Sequence, residues 1–356
     1  MRKSRVIISI TAAAVCLLGL AGCTKDLSGM RIRFRASTRP EAPVTKTVYS
    51  GSTYDGAGSK TYERIDWSNG DRIVLAMKND EVGMASQEYS VNTISVAGVN
   101  SKTDLMPYGA ENGLEWGTGT HDFWAGYPAS KVTVGNHRMS ATIPSSQVVT
   151  YSKKANNTLI FNPDMSDAFM VAGLQSPQDA NGINLDFYPA FTCFEFTVGA
   201  NDNTTITSFE METSTYETET AIFQPIAGVS TATFDAGSGM SCTYTGTGST
   251  SSTIGVVFHD DHDEPYNPII STTTSINFKV FALPLDITGV KITFNMSNGT
   301  SKSLRLKQND AWITFPAATK IQISGLAVPG AVWFINFDYP RKEQWIIHPD
   351  IEIGVE

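Results

Sequence analysis

Met30-Arg-Ile-Arg-Phe-Arg-Ala36 alternates without a break. Met30, Ile32, Phe34 and Ala36 fall on one face and Arg31, Arg33 and Arg35 on the other. That period of two describes a strand with one buried side. Behind it comes Ser37-Thr-Arg39-Pro40-Glu-Ala-Pro43-Val-Thr-Lys46. Two prolines there cannot continue a hydrogen-bonded ladder, so an exposed loop is expected. The chain therefore opens, ahead of its main body, with a single strand on a tether.

The same periodicity runs through the rest of the sequence. Arg72-Ile-Val-Leu-Ala-Met77, His121-Asp-Phe-Trp-Ala-Gly-Tyr-Pro128 and Arg138-Met-Ser-Ala-Thr-Ile-Pro144 are predicted strands. So are 187–198, 205–211, 253–258, 276–283, 290–296, 303–307 and 320–324. Asn298-Gly299, between two of these, is a strong hairpin signal. Long helix-period segments are missing, and many short strands joined by Gly and Asn turns spell an all-β protein of sandwich or barrel type.

The first 22 residues read as a targeting segment. Arg2, Lys3 and Arg5 form a positive start, Val6 to Leu18 an apolar run, and Leu20-Ala-Gly-Cys23 a small-residue exit ending in cysteine. This order is that of a bacterial lipoprotein signal, with Cys23 the lipidated first residue of the mature chain. The run is too short for a spanning helix. An exported protein held to the outer membrane through acyl chains is expected.

Roughly 330 mature residues suit two domains. The Leu174-Gln-Ser-Pro-Gln-Asp-Ala-Asn-Gly-Ile-Asn184 stretch suggests the division. The expected plan is a signal at 1–22, the strand and loop at 23–46, domains at 47–175 and 183–330, and an arm at 331–356. Removing three signal cations from 26 leaves 23 basic against 35 acidic residues, a balance of −12. That surface argues against nucleic acid. Of the four cysteines, Cys16 leaves with the signal and Cys23 is acylated. Export permits a disulfide between Cys193 and Cys242, although the apolar run around Cys193 suits a buried thiol better.

The far end mirrors the beginning. Val332-Trp-Phe-Ile-Asn-Phe337 is strand-like, and Ile351-Glu-Ile-Gly-Val-Glu356 puts Ile351, Ile353 and Val355 on one face. Chain ends ordinarily fray as polar tails, so an apolar face at this end needs a partner. It is either a closing strand of its own domain or a strand lent to a neighbouring molecule.

Chemistry-bearing clusters are few. His259-Asp-Asp-His262-Asp-Glu264, with Asp260 between the imidazoles and Asp263 just after them, has the residue types of a Zn²⁺ or Ca²⁺ site, but its setting suits a solvated acidic loop better. Asp66, Asp71 and Glu63 sit with Trp67 and Gly70, which indicate a turn. No phosphate loop, nucleophile elbow, HExxH or dinucleotide fingerprint occurs. No catalytic residues and no cofactor are assigned, and a non-enzyme is expected. The six tryptophans are spread singly over strands and read mainly as core.

Several segments resemble one family. Ile65-Asp66-Trp67-Ser-Asn-Gly70-Asp71-Arg-Ile73 is similar to the W-x-x-G-D-x-I element of the fimbrillin (Mfa-like, FimA-like) lipoproteins of Bacteroidales, subunits of type V pili. Phe123-Trp-Ala-Gly-Tyr127-Pro128 resembles that family's F-x-A-Y-Y-P segment, and Ala141-Thr-Ile-Pro144-Ser-Ser-Gln147 its P-x-x-Q turn. Asp164-Met-Ser-Asp-Ala168 is similar to its D-L-M-A element. Phe187-Tyr-Pro-Ala-Phe191 to Phe196 resembles its strand with P-A-F, and Phe281-Ala-Leu-Pro284 its F-x-L-P turn. They occur in order from 65 to 284.

The resemblance implies two transthyretin-like β-sandwich domains and assembly by strand exchange. A trypsin-like protease removes the first strand, and the emptied groove receives a C-terminal donor strand from the next subunit. Lys46 or Arg35 is then the expected cleavage point, since Pro40 disfavours cutting after Arg39. The implied partners are other pilus subunits, and the implied location is the cell surface as a fimbrium active in adhesion. The alternative is a monomeric surface lipoprotein that binds glycan or a host protein through its loops.

Overall fold

The computed structural model describes residues 26–38, 49–54, 61–65, 67, 70–81, 83–91, 103–109, 112–200, 202–213, 225–236, 240–287, 290–306, 313–315, 319–328 and 334–338. The described residues carry 26 strands, one 3-10 turn and no α-helix, so the protein is all-β. In chain order the first are β1 (Phe34–Thr38), β2 (Tyr49–Tyr54), β3 (Thr61–Ile65), β4 (Arg72–Asn79), β5 (Gly83–Val91), β6 (Thr103–Pro107) and β7 (Thr120–Tyr127). Next come β8 (Thr133–Gly135), β9 (Arg138–Ile143), β10 (Ser146–Ala155), β11 (Thr158–Pro163), β12 (Met170–Pro177) and β13 (Ile183–Pro189). Then follow β14 (Thr192–Ala200), β15 (Thr204–Thr213), β16 (Ala227–Asp235), β17 (Ser241–Ser251), β18 (Thr253–His259), β19 (Ile269–Ile270) and β20 (Ser275–Ala282). The last are β21 (Leu285–Ile287), β22 (Val290–Met296), β23 (Ser301–Leu306), β24 (Ile313–Phe315), β25 (Thr319–Val328) and β26 (Phe334–Asp338).

Seven strands close into a barrel in the order β1-β13-β12-β7-β4-β5-β6. A four-stranded sheet, β17-β16-β9-β8, lies over the outer face of β7 and β12. The cover is tight: a methyl added at Gly173 would stand 2.5 Å from the Phe234 ring, and one at Gly126 would stand 2.8 Å from Val132. β4 and β7 depart from the alternation expected of them and are buried almost continuously, since both of their faces are covered.

The larger sheet follows the path β23-β22-β15-β18-β10-β11-β20-β14-β25-β26, with β19 on β15. Its core is aromatic: Phe196 and Phe209 lie 4.7 Å apart, Phe209 and Phe278 5.0 Å, and Phe258 and Phe278 5.3 Å. The β10–β11 hairpin enters this sheet from the first half of the chain, β10 running parallel to β18 and β11 parallel to β20. The turn at 178–182 connects β12 to β13, which are hydrogen-bonded neighbours in the barrel.

The predicted run 187–198 is two strands rather than one. Pro189 has no amide to give to a ladder, and the Ala190 N–H, bonded to the Phe169 carbonyl at 2.8 Å, makes the last bond in the β12–β13 register. β13 therefore ends in the barrel and β14 begins in the other sheet. The Asn298-Gly299 hairpin forms as expected, with Gly299 at φ +78° between β22 and β23.

Candidate functional site

The opening segment 26–38 is the element with the clearest functional geometry, and it is held in two parts. The first part, 26–32, lies as a strap along 114–117. The Asp26 carboxylate accepts from the Ser28 amide at 3.0 Å and from its hydroxyl at 2.7 Å, and these bonds hold it below the usual carboxylate range. Leu27 donates its amide to the Gln178 side chain at 2.9 Å. Gly29 N–H donates to the Trp116 carbonyl at 2.7 Å, Trp116 N–H to Met30 at 2.9 Å, and Ile32 N–H to Leu114 at 2.9 Å.

The second part, β1, completes the barrel. It runs parallel to β13, pairing Phe34 with Ile183 and Ala36 with Leu185, and antiparallel to β6, pairing Phe34 with Leu105. Ile32, Phe34 and Ala36 are buried as their alternation predicts, the last with no exposed surface. Met30 departs from the pattern and is 47% exposed, because the tight turn in which its amide bonds to Leu27 precedes the point where the strand phase begins. The Phe34 ring stands edge-on to Tyr89 at 5.3 Å and to Phe123 at 5.6 Å.

Gly182 is fitted to this arrangement in two ways. Its φ of +86° suits glycine, and a methyl there would stand 2.4 Å from the Arg33 carbonyl oxygen. That carbonyl accepts the Ile183 amide at 2.8 Å, so the turn before β13 is shaped around the opening segment. The Asn-Gly pair at 181–182 was the visible signal of a turn, but its partner 150 residues upstream had no local trace.

Beneath the strap sits His121, wholly buried, a residue that pattern reading left unassigned within a strand. Its Nε2 accepts the Gly117 amide at 3.0 Å and lies 3.0 Å from the Asn79 amide nitrogen. Asn79 also donates to the Thr118 carbonyl at 3.1 Å. Burial pushes the His121 pKa down, opposed in part by the Gly119 backbone, Asp122 and Glu81. The Glu81 carboxylate takes the Thr118 amide at 2.8 Å and its hydroxyl at 2.6 Å, which lower its own pKa.

Of the two cleavage candidates, Arg35 is the second residue of β1, its neighbour Ala36 buried and its guanidinium 3.1 Å from Asp104. Lys46 lies outside the described residues, as do Cys23 and the donor positions Ile351, Ile353 and Val355. β26 is an edge strand paired antiparallel with β25, Phe337 opposite Ile321. Cys193 is buried beside Phe281, whereas the Cys242 side chain is outside the described residues.

The 259–264 cluster forms a loop held by its own backbone. Asp260 accepts the amides of His262 and Glu264, which lower its pKa, and His259 Nδ1 lies 2.7 Å from Asp263. The ring of His262 is 82% exposed and points at Asp261 from 3.8 Å. Among the described residues no group of three or more His, Cys, Asp or Glu side chains is placed to hold a metal ion.

The quoted family-like segments meet in space. Trp67 stands edge-on to both Tyr127 and Phe187 at 5.2 Å. Gln147 is buried and clasps Phe281, donating to its carbonyl at 2.6 Å and accepting its amide at 2.9 Å. Phe191 and Phe281 lie 4.4 Å apart, and Asp164 caps the 3-10 turn through the Ser166 amide. These residues are joints of the fold, not reactive groups.

No family model and no curated protein matches the sequence. Among solved structures, the chain is similar to a candidate cell adhesion protein of Bacteroides uniformis, at 15% identity and a TM-score of 0.47 over 87% of this chain and 98% of that one. It is similar to another from Bacteroides ovatus, at 10% identity and a TM-score of 0.49 over 87% and 99%. A fimbrial assembly protein of Parabacteroides distasonis matches at 9% identity and a TM-score of 0.39 over 86% and 98%.

Proposed function

We propose that this chain is a non-enzymatic structural subunit, stalk or accessory, of a type V pilus of the fimbrillin family, contributing to adhesion at the cell surface. It is exported as a lipoprotein through Cys23 and assembled by protease-triggered strand exchange. The observation that carries the reading is β1: one short strand, at the very start of the described chain, is the sole hydrogen-bonded link between β6 and β13. Its departure leaves two facing rows of unpaired amides and carbonyls beside an apolar slot lined by the neighbours of Phe34. Such a groove is a template for another chain's strand.

Lys46 is the better cleavage point of the two. A protease needs an extended segment free of partners, and the Arg35–Ala36 bond is paired on both sides while β1 is seated. The strand that refills the slot comes from 351–356 of the next subunit, whose Ile351, Ile353 and Val355 repeat the spacing of Ile32, Phe34 and Ala36. Each buried aliphatic side chain contributes roughly 1.5–3 kcal/mol and each ladder hydrogen bond about 1 kcal/mol.

N-terminal sequencing of the protein taken from the cell surface tests this. A start at Thr47 supports removal of the first strand, as does a start at Ala36. Recovery of only the acylated Cys23 form overturns strand exchange and leaves an anchored lipoprotein.

A further inference from the structure

We propose that His121 is a pH-sensitive latch on the N-terminal strap, its neutral ring holding 114–118 in the shape that grips 27–32 and its protonated ring releasing it. The inference rests on reading the opening segment as the removable strand, and it adds a control on when that strand leaves.

The connection from ring to strap is short. His121 Nε2 accepts the Gly117 amide. The Gly117 carbonyl takes the Gln178 side-chain amide, whose oxygen in turn holds the Leu27 amide. Trp116, one residue away, exchanges two backbone hydrogen bonds with Gly29 and Met30, and its indole stands edge-on to the His121 ring at 5.0 Å. A proton on Nε2 turns this acceptor into a donor aimed at two N–H groups, Gly117 and Asn79, in a buried ring packed between Trp116 and Phe123. The contacts that shaped 117 and 118 become repulsive together.

The charged groups around the ring offset the cost of that proton only in part. Asp122, on the same strand, is engaged by His137 at 2.9 Å and Gln175 at 2.8 Å. Glu81, from the turn after β4, is occupied by Thr118. Asp26 of the strap acts on Glu81 and not on the ring, and Lys78, Asp80 and Glu115 lie at the surface of the same elements. With the folded-state pKa below the ordinary 6.5, the unfolded or released form binds the proton more readily. The latch is therefore whole above pH 6.5 and weakens as the pH falls beneath it.

Hydrogen exchange on the full chain reads this directly. Between pH 7.5 and 5.0, with rates corrected for intrinsic exchange, protection at Gly29 and Ile32 should fall by about tenfold per pH unit once the latch titrates. Protection at Phe209, in the other sheet, should not change over that range. In His121→Gln, whose side-chain oxygen can accept the Gly117 amide without titrating, the pH dependence at Gly29 and Ile32 should vanish. Nitrogen NMR of the ring in the wild-type chain supplies a second readout that needs no variant, the loss of protection tracking the imidazole's own titration. Equal protection at both pH values overturns the latch, and so does strap release while the ring is still neutral. Polymerisation of trimmed subunits at pH 7.5 is scored separately: a strap that opens with acid on a chain that never polymerises keeps the latch and removes the filament.

Discussion

At the scale of single residues, the family-like segments act as joints, and their cost can be stated. Gln147 satisfies both the amide and the carbonyl of Phe281 in a buried position. Gln147→Ala leaves two buried backbone groups unpaired, each costing about 1–3 kcal/mol, so denaturant unfolding should show a loss of roughly 2–5 kcal/mol. Gln147→Glu, which keeps the acceptor and loses the donor, should lose less at acidic pH, where its carboxyl is protonated, than at neutral pH. Gly182→Ala should act on the strap alone: the new methyl meets the Arg33 carbonyl and a φ of +86°, so limited trypsin digestion should release the opening segment faster while the aromatic sheet keeps its stability. Gln147 was visible in sequence as part of a turn. Its partner was not, because Phe281 lies 134 residues away and no periodicity encodes that distance.

At the scale of elements, alternation revealed strands wherever one face was buried, as in Ile32, Phe34 and Ala36, and Asn298-Gly299 revealed its hairpin. It failed at 187–198, where the apolar run continues across Pro189 although the chain changes sheets. The β10–β11 hairpin carried a local cue in Asn156-Asn157, both at positive φ, but its parallel pairing with β18 and β20 depends on contacts more than 100 residues apart. The element that matters most is β1. Seating Ile32 and Phe34 contributes about 3–6 kcal/mol, so cleavage and removal of the segment should lower the melting temperature by roughly 10–20 °C. A synthetic peptide of residues 345–356 added to the trimmed protein should restore most of that loss. A scrambled peptide, with the apolar residues moved off one face, should not. Failure of the native peptide to raise the melting temperature would mean that the slot closes on itself and that the C-terminal residues are not its occupant.

At the scale of the molecule, β1 and β26 are placed differently in their sheets, and on the strand-exchange reading this governs what assembly is expected. β1 lies between two strands, so its loss opens a barrel, whereas among the described residues β26 sits at an edge and pairs only with β25. Deleting an internal strand breaks a core, but deleting an edge strand shortens a sheet. A chain ending at residue 331 should therefore fold, with a melting temperature within a few degrees of the full chain, roughly the effect of about 1–2 kcal/mol in a protein of this size. Once trimmed at Lys46 it should remain a monomer by light scattering, because it has an open slot and nothing to lend. Mixed with trimmed full-length chain, it should cap growing filaments: each truncated molecule accepts a donor strand and offers none, so mean length should fall in proportion to its share. Head-to-tail donation is a heterologous contact that does not close on itself, which is why one blocked end suffices to stop growth. If the 1–331 chain instead unfolds in its larger sheet, the C-terminal segment is a closing strand of its own domain, and the monomeric surface lipoprotein is the better account.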